Sequence, residues 1–569
     1  MSVVTTGNLV DQLIGFEVHN SAFETMIRSL PVPVIDGFGP GSNGGVPQFI
    51  DQGDRVGPVA KSDIDVQFPK ISAETAGRVL SVVPSSDSVR GRRLAVLFSG
   101  GPAAGGHNVV AGIRRVLGES NTLFGVKAGP KGLMNGDCFE IGLSDVDSIL
   151  NTGGFDFLGS DRTKIKSESD FQAVLDTVKR YQLDGIIVVG GDDSNTNAAF
   201  LAEFLADHRC AVIGVPKTID GDLQVGSLVP ISFGFDTATK IYSEMVGNIL
   251  QDTPSSRKYW HFIKLMGRSA SHVALEVALQ THPAVTLISE EIAQKKWSLS
   301  DVVNQIAGAV VDRSKHGFNY GVVLVPEGVI EFIPEIKVLI RALNDSVATH
   351  HDMLETMPLT ERVAVITGSL QSDMQRLFLS LPEGIQRQLV MDRDSHGNLQ
   401  VSQIPSEELF VELTKRRVAE IDPTVKFSPL NHFLGYEGRC GAPTRFDAIY
   451  TYNLGLVAGA LALRGRSGYM AGITDIFSGG RGVAIPLTSL ITSERRSGST
   501  AMVIEKALVN LESPAFKFFE KRRLEWVKSD RFSSPGPRQY WGETSRQAPL
   551  SVALNQSAKG LLFEIGSDA

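Results

Sequence analysis

Cysteine is scarce in this sequence, and the protein classes that depend on it can be set aside. The 569 residues include three cysteines, Cys138, Cys210 and Cys440, which lie far apart and lack the paired spacing of a zinc site or a disulfide framework. The histidines form no Glu-x-x-His or His-x-x-x-His pattern, so we expect them to be structural. This cysteine usage favours a reducing compartment, and we expect a cytoplasmic protein.

Several other signals are missing. No segment approaches the roughly 18 uninterrupted apolar residues of a membrane span, and the N-terminus lacks a basic region followed by an apolar stretch. The net charge of −8 argues against a nucleic-acid binder, whose affinity comes largely from clustered Lys and Arg. No GxGxxG opens a helix with an acidic residue about 20 positions on, which disfavours a dinucleotide-binding oxidoreductase.

What is present is an alternation of short apolar runs and helical stretches. The runs are rich in Val and Ile and read as buried parallel strands at 93–99, 185–191, 211–216, 261–266, 284–289 and 320–328. Stretches with helical spacing lie between them, at 194–208, 237–252 and 269–282. This alternation predicts a doubly wound α/β fold of more than one structural unit.

This alternation, and the places where it is interrupted, divide the chain into five parts. A Pro/Gly-rich stretch at 31–47 marks an N-terminal extension over 1–91, and the charged helical sequence of 331–428 predicts an inserted helical subdomain. We expect one α/β domain over 92–255, a second over 256–330 and 429–480, and a C-terminal segment over 481–569 that packs on the core.

The residues that follow the predicted strands carry chemistry. The first run ends in SGGPAAGGHN (99–108), a glycine-rich turn that can bring backbone N–H groups against a phosphate, although such turns also serve packing alone. The second ends in GGDDSN (190–195), where Asp192 and Asp193 form either a helix-capping pair or, as we favour, carboxylate ligands for a hard cation such as magnesium.

The third run ends in PKTIDGD (216–222), which places a lysine, a threonine and two carboxylates within seven residues. As a plain loop this is a turn with Asp-Gly chemistry. As a catalytic loop it supplies a cation for phosphoryl oxygens and a carboxylate that takes a proton from a hydroxyl nucleophile. The combination favours phosphoryl transfer over hydride or acyl transfer.

At this point the chain resembles the phosphofructokinases, through ordered motifs over about 93–330 and 430–480. Besides the three motifs above these are GSDRTKI (159–165), FDTATK (235–240), LMGRSASHVALE (265–276), PEG (326–328) and GYEGRCGAPTRFD (435–447). The resemblance implies magnesium-dependent phosphoryl transfer to the 1-hydroxyl of fructose 6-phosphate. It makes Asp220 the proton acceptor and assigns a sugar-phosphate site to Thr218, Ile219, Asp220, Met266, Gly267, Arg268, Glu327, Tyr436, Glu437, Gly438 and Arg439.

The resemblance also bears on the phosphoryl donor. ATP-using members of the family have glycine where this chain has Asp193 and Lys217. A carboxylate at Asp193 would repel a nucleotide α-phosphate, and Lys217 would assist transfer from a short donor, so pyrophosphate is implied. Asp192 would then hold the magnesium, and Gly100 and Gly101 would approach the pyrophosphate.

The departures from the ATP-type bacterial pattern point the same way. Pro102 and Tyr436 replace an Asp and a His of that pattern, as in the long pyrophosphate-dependent branch. The arginines that a neighbouring subunit lends in that pattern are not found in place. Lys258 and Tyr259, with Arg257 as a less certain helper, resemble their equivalents, which implies a homodimer with shared sites; an exposed basic turn is the alternative.

Three rival interpretations stay open. An ATP-dependent kinase of the same superfamily or a NAD kinase would also carry a Gly-Gly-Asp turn. A catalytically silent regulatory subunit is the third, although its active-site carboxylates should be eroded, whereas Asp192, Asp193, Asp220 and Asp222 all remain.

Overall fold

The computed structural model describes residues 22–39, 45–56, 62–350, 353–354, 357–391, 404–496, 499–535 and 548–556. Its strands are β1 (Gln48–Arg55), β2 (Arg78–Val83), β3 (Arg93–Ser99), β4 (Thr122–Val126), β5 (Cys138–Glu140), β6 (Ser160–Asp161), β7 (Gly185–Gly190), β8 (Ala211–Pro216), β9 (Trp260–Leu265), β10 (Val285–Thr286), β11 (Gly321–Pro326), β12 (Pro429–Leu434), β13 (Tyr469–Thr474), β14 (Arg481–Pro486), β15 (Ile491–Arg496) and β16 (Ser499–Ile504).

The α-helices alternate with these strands through most of the chain. They are α1 (Ala22–Ser29), α2 (Ser62–Gln67), α3 (Pro69–Thr75), α4 (Gly106–Leu117), α5 (Gly129–Asn135), α6 (Leu143–Ile149), α7 (Glu168–Tyr181), α8 (Asp192–Leu205), α9 (Phe235–Ser256), α10 (His272–Thr281), α11 (Ser289–Lys295), α12 (Leu299–Lys315), α13 (Pro334–Thr349), α14 (Leu359–Ser369), α15 (Ser372–Ser380), α16 (Glu383–Val390), α17 (Ser406–Ile421), α18 (Arg445–Leu463), α19 (Leu487–Leu490), α20 (Pro514–Trp526) and α21 (Leu550–Asn555).

A large mixed sheet forms the first layer of the fold. Its strand order is β1-β2-β14-β13-β8-β7-β3-β4-β5, with β6 also paired to β3. The central pairs, from β13 through β4, are parallel, while β1, β2, β14 and β5 add antiparallel edges. Burial of every residue in β7 and β8 explains their continuous Val and Ile content. The predicted doubly wound α/β fold is confirmed.

A second, smaller sheet is parallel throughout. Its order is β10-β11-β9-β12, in which β9 pairs with both β11 and β12. The strand predicted at 284–289 shortens to Val285–Thr286, because Ser289 already begins helix α11. A short antiparallel hairpin, β15–β16, stands apart from both sheets.

The sheet pairing differs from the division expected along the chain. Strand β13 lies within the range 429–480 that was expected with the second domain, yet it pairs with β8 in the large sheet. Strands β1 and β2 of the N-terminal extension complete one edge of the same sheet. Strands that are distant in sequence from the central strands thus extend the large sheet. The domain boundaries given from the sequence stay predictions.

The expected helical insertion is present between β11 and β12. The described residues of 334–421 form α13 to α17, and a hydrophobic cluster joins them to the small sheet. Helices α15 and α16 are separate because Pro382 caps the second and cannot continue the first.

Helix α18 is long and apolar enough to cross a membrane by length and composition alone, but 94% of its apolar window is buried inside the protein. It packs against α4 through glycines. A Cβ at Gly112 would lie 2.0 Å from the carbonyl oxygen of Tyr452, and one at Gly455 would lie 2.2 Å from that of Val109. The apolar surface of this helix is therefore covered by the α/β core.

Candidate active site

A polar cleft lies where the carboxyl ends of strands from both sheets converge. Its volume is about 300 Å³. The described residues that line it are Ser99, Gly100, Gly101, Arg162, Thr163, Lys164, Gly191, Asp192, Asp193, Ser194, Asn197, Lys217, Thr218, Ile219, Asp220, Asp222, Met266, Arg268, Ser269, Glu327, Tyr436, Arg439 and Lys506. Parallel strands direct the loops at their carboxyl ends to one edge, and this explains the convergence.

The first wall is the glycine turn after β3. Gly100 has a φ of +84°, which glycine adopts without strain, and its N–H donates to the carbonyl oxygen of Asp161 over 2.9 Å. A Cβ on Gly101 would lie 2.5 Å from Nη1 of Arg439. Glycine at position 100 therefore permits the turn without backbone strain, and a side chain at position 101 would have to displace the end of the Arg439 side chain.

Asp192 and Asp193 occupy the first turn of helix α8. The N-cap of this helix is Gly191, so neither carboxylate is in the capping position that would explain it without function. Oδ1 of Asp193 lies 2.9 Å from Nζ of Lys164, a residue that sequence reasoning had not assigned to the site. Oδ2 of Asp192 lies 3.5 Å from Nζ of Lys506. Both carboxylates therefore face cations across the cleft.

The loop after β8 supplies charge of both signs. Burial lowers the pKa of Lys217 to about 8, and the nearby guanidinium of Arg439 acts in the same direction. The backbone N–H of Asp220 donates to Oγ1 of Thr218 over 3.1 Å, which fixes the turn. Burial raises the pKa of Asp222 to about 7, and the neighbouring carboxylate of Asp220 adds to that rise. This loop can offer both an ammonium and a carboxylate to one substrate.

The opposite wall comes from the small sheet. The N–H of Gly267 donates to Oε2 of Glu327 over 2.9 Å, and burial raises the pKa of that carboxyl group. Nε of Arg439 is buried and has no hydrogen-bond partner within the described parts of the chain. Arg439 also lines the cleft, so the other nitrogens of its guanidinium group can meet an anionic ligand.

The sugar-phosphate residues predicted after β9 and β12 divide into two groups. Met266 and Arg268 line the cleft together with Tyr436 and Arg439. The other predicted residues support them: Oε2 of Glu437 accepts from the N–H of Gly435 over 2.8 Å, and a Cβ on Gly438 would lie 2.6 Å from the ring of Tyr242. The structure brings the first group to the cleft surface and places Gly267, Glu437 and Gly438 behind it.

Lys258 and Tyr259 do not line the cleft of their own chain. They precede β9, whereas Met266 and Arg268 follow it, so the strand separates the two sets. Lys258 is exposed, and its Nζ lies 4.7 Å from the ring centre of Tyr259. Their assignment to a neighbouring subunit's site stays a prediction.

Several residues that line the cleft were not predicted from the sequence to belong to the site. Arg162, Thr163 and Lys164 belong to the GSDRTKI motif, which carried the resemblance but received no site role. Lys506 lies in the C-terminal segment, where no periodic pattern was found. The GSDRTKI motif could have indicated a site role for Arg162, Thr163 and Lys164. The sequence around Lys506 contains no motif that indicates such a role.

The donor set in the cleft fits a magnesium ion. No cluster of three or more His, Cys, Asp or Glu side chains suited to a metal occurs among the residues that the structure describes. Magnesium needs fewer, since it is usually bound through one or two carboxylates while waters and substrate phosphates complete its octahedron. Asp192 and Asp222 already share one cation, the ammonium of Lys506, at 3.5 and 3.8 Å. These carboxylates can therefore hold a hard cation.

Comparison with known proteins agrees with this geometry. Residues 93–462 match the model of one protein family, Phosphofructokinase. The chain belongs to the phosphofructokinase family.

Relatives and solved structures point to the same family. The chain is 48% identical to a pyrophosphate–fructose 6-phosphate 1-phosphotransferase of Treponema pallidum, over 84% of this chain and 85% of that one. It is 41% identical to subunit beta 2 of the corresponding enzyme of Arabidopsis thaliana, over 95% of this chain and 91% of that one. The crystal structure of a pyrophosphate-dependent phosphofructokinase from Nitrosospira multiformis shares the fold, with a TM-score of 0.50 at 15% identity over 79% of this chain and 96% of that one.

Proposed function

We propose that the protein is a phosphotransferase that moves a phosphoryl group reversibly from inorganic pyrophosphate to the 1-hydroxyl of fructose 6-phosphate, giving fructose 1,6-bisphosphate and phosphate. The observation that carries this function is the pairing of Asp193 with Lys164 beside the buried Lys217, in the cleft that also holds Asp220. The two named relatives act, by name, on the same two substrates.

Asp220 is the general base of this proposal. Its carboxylate takes the proton of the sugar 1-hydroxyl, and the hydroxyl oxygen forms the new bond to phosphorus as the bridging P–O bond of pyrophosphate breaks. Inorganic phosphate leaves with the electron pair of that bond. The hydrogen bond from the backbone N–H of Asp220 to Oγ1 of Thr218 fixes the loop that carries this carboxylate.

Lys217 stabilises the charge that develops on the transferring group. Its side chain is buried, with 5% of the residue exposed, so its positive charge is weakly screened by water. Gly100 and Gly101 leave backbone space for the donor, and Asp192 with Asp222 would hold the magnesium. When bound, that ion neutralises negative charge on the phosphoryl oxygens.

The sugar phosphate lies against the small sheet in this proposal. Arg268 and Arg439 offer guanidinium groups that can pair with phosphate in bidentate fashion. Tyr436 lines the cleft and is 75% exposed, so its ring is accessible to the sugar phosphate. Met266 and Ile219 supply apolar contact with the sugar.

Donor choice depends on Asp193. Its carboxylate occupies the cleft next to Lys164, where a nucleotide α-phosphate would bring like charge against it. An ATP-dependent enzyme would be expected to leave this position open. A silent regulatory subunit is disfavoured by the intact carboxylates of the cleft, Asp192, Asp220 and Asp222.

Lys258 and Tyr259 are proposed to reach the sugar phosphate of a neighbouring copy, so the functional unit is a homodimer with shared active sites. Their position before β9, away from the cleft of their own chain, supports this assignment.

The three cysteines are free, and this state suits a protein of the reducing cytoplasm.

The experiment is a donor comparison on the purified chain. We expect production of fructose 1,6-bisphosphate from fructose 6-phosphate with pyrophosphate and magnesium, a loss of turnover on chelation, and little or no turnover with ATP. The Asp220→Asn variant controls for a contaminating kinase. Turnover with ATP but not pyrophosphate would contradict the donor assignment, and no turnover with either would favour the regulatory subunit.

A further inference from the structure

Lys506 lies in the cleft although it falls outside residues 93–462, the part of the chain that matches the family. It follows hairpin β15–β16 and comes from the C-terminal segment. Its side chain is 26% exposed, so most of it is enclosed by the site.

The ammonium of Lys506 touches residues from both sheets. Nζ donates to Oγ of Ser269 over 2.7 Å and lies 3.5 Å from Oδ2 of Asp192 and 3.8 Å from Oδ2 of Asp222. Asp192 follows β7, Asp222 follows β8 and Ser269 follows β9. One side chain therefore connects three strand ends across the cleft.

The backbone around Lys506 is held on both sides. The N–H of Ile504 donates to Oγ1 of Thr196 over 3.0 Å, and that of Ala507 donates to the carbonyl oxygen of Asp222 over 2.7 Å. The N–H of Val509 donates to Oε1 of Glu290 over 3.0 Å. These three bonds fix the backbone on both sides of Lys506. The fixed backbone therefore directs the Lys506 side chain into the cleft.

We propose that Lys506 is a further residue of the donor site, where its ammonium binds an anionic oxygen of pyrophosphate. Asp192 and Asp222 would hold the divalent cation, whose charge would neutralise them in place of the ammonium of Lys506. That ammonium would then be available to pair with the anion that accompanies the cation. This inference rests on the proposed donor.

The test is direct binding measured by calorimetry, with magnesium pyrophosphate and fructose 6-phosphate titrated separately. Lys506→Met should weaken pyrophosphate binding about 10- to 100-fold, as expected for the loss of a charge-assisted hydrogen bond. Binding of fructose 6-phosphate should change less than about twofold, and Lys506→Arg should recover part of the lost affinity. Lys517→Met is the matched control, because Lys517 is an exposed lysine of helix α20 paired with Glu512.

Two results would overturn the inference. In one, pyrophosphate binds Lys506→Met as tightly as the parent protein; in the other, both ligands weaken equally, as a merely structural role would produce. If the Met variant does not melt cooperatively, Lys506→Gln decides, because it can keep the bond to Ser269 but lacks the charge. A parent protein that neither binds nor uses pyrophosphate would reject the proposed function itself.

Discussion

Asp193 should decide which phosphoryl donor the cleft admits. Two like charges 4 Å apart repel by about 4 kcal/mol at an effective dielectric near 20. That figure is an upper limit here, since the side chain of Asp193 is 45% exposed and the ammonium of Lys164 lies 2.9 Å from its Oδ1. We therefore expect the carboxylate to disfavour ATP by about 1.5–3 kcal/mol, or roughly 10- to 100-fold.

Two variants separate charge from size at this position. Asp193→Asn removes the charge and keeps the volume, whereas Asp193→Gly removes both. Both should lower turnover with pyrophosphate, because Lys164 loses its ionic partner, and both should raise kcat/KM for ATP, Asp193→Gly the more. The assay is fructose 1,6-bisphosphate formation with each donor over a range of concentrations. Adding Lys217→Gly to Asp193→Gly tests whether both positions must change.

The matched control is Asp207→Asn. Asp207 is also paired with a lysine, at 2.6 Å from Nζ of Lys70, but it lies after the far end of helix α8 and outside the cleft. Its replacement should leave both donors unaffected. If ATP binding by Asp193→Gly stays undetectable while pyrophosphate turnover is unchanged, the electrostatic account of donor choice is wrong.

Three further predictions follow from the same cleft. Asp220→Asn should lower kcat by about 10²–10⁴ while fructose 6-phosphate still binds, and a fall of less than tenfold would reject Asp220 as the base. Because the pKa of Lys217 is lowered to about 8, its ammonium is present below that pH and lost above it; kcat/KM for pyrophosphate should fall above about pH 8, and Lys217→Arg should move the fall to higher pH. Mixing inactive Asp220→Asn with an inactive Lys258→Ala, Tyr259→Ala double variant, followed by dissociation and reassociation, should restore up to about half of normal activity per heterodimer; heterodimers that stay inactive would refute shared sites.

The sequence predicts the strand-end residues well because the strands are buried on both faces. Each apolar run of the central sheet can be recognised without knowledge of its neighbours, and the loop after it must lie at the carboxyl edge. Asp192 and Lys217 were predicted by this rule, whereas Arg268 was predicted from the family resemblance, and all three line the cleft. The rule does not distinguish residues that face the cleft from those that support it, such as Gly438 against Tyr242.

Tertiary packing determines the rest of the cleft. Lys164 meets Asp193 from 29 residues away, and Lys506 meets Ser269 from 237 residues away. No local period or turn signal encodes either contact. Lys164 and Asp193 follow two strands of the large sheet, β6 and β7, whereas Ser269 follows β9 of the small sheet and Lys506 comes from the C-terminal segment. Strand β13 likewise pairs with β8 of the large sheet, a strand that is distant from it in sequence.

The cleft therefore depends on the placement of one sheet against the other. Gly100, Asp193 and Lys217 follow strands of the large sheet, whereas Arg268, Glu327 and Arg439 follow strands of the small one. Nη1 of Arg439 lies 3.5 Å from the carbonyl oxygen of Pro102 and would lie 2.5 Å from a Cβ on Gly101, so the two walls are in close contact here. Phosphoryl transfer is accelerated mainly by positioning and charge stabilisation. A change in the packing between the sheets should therefore reduce catalysis even when every charged residue of the cleft is intact.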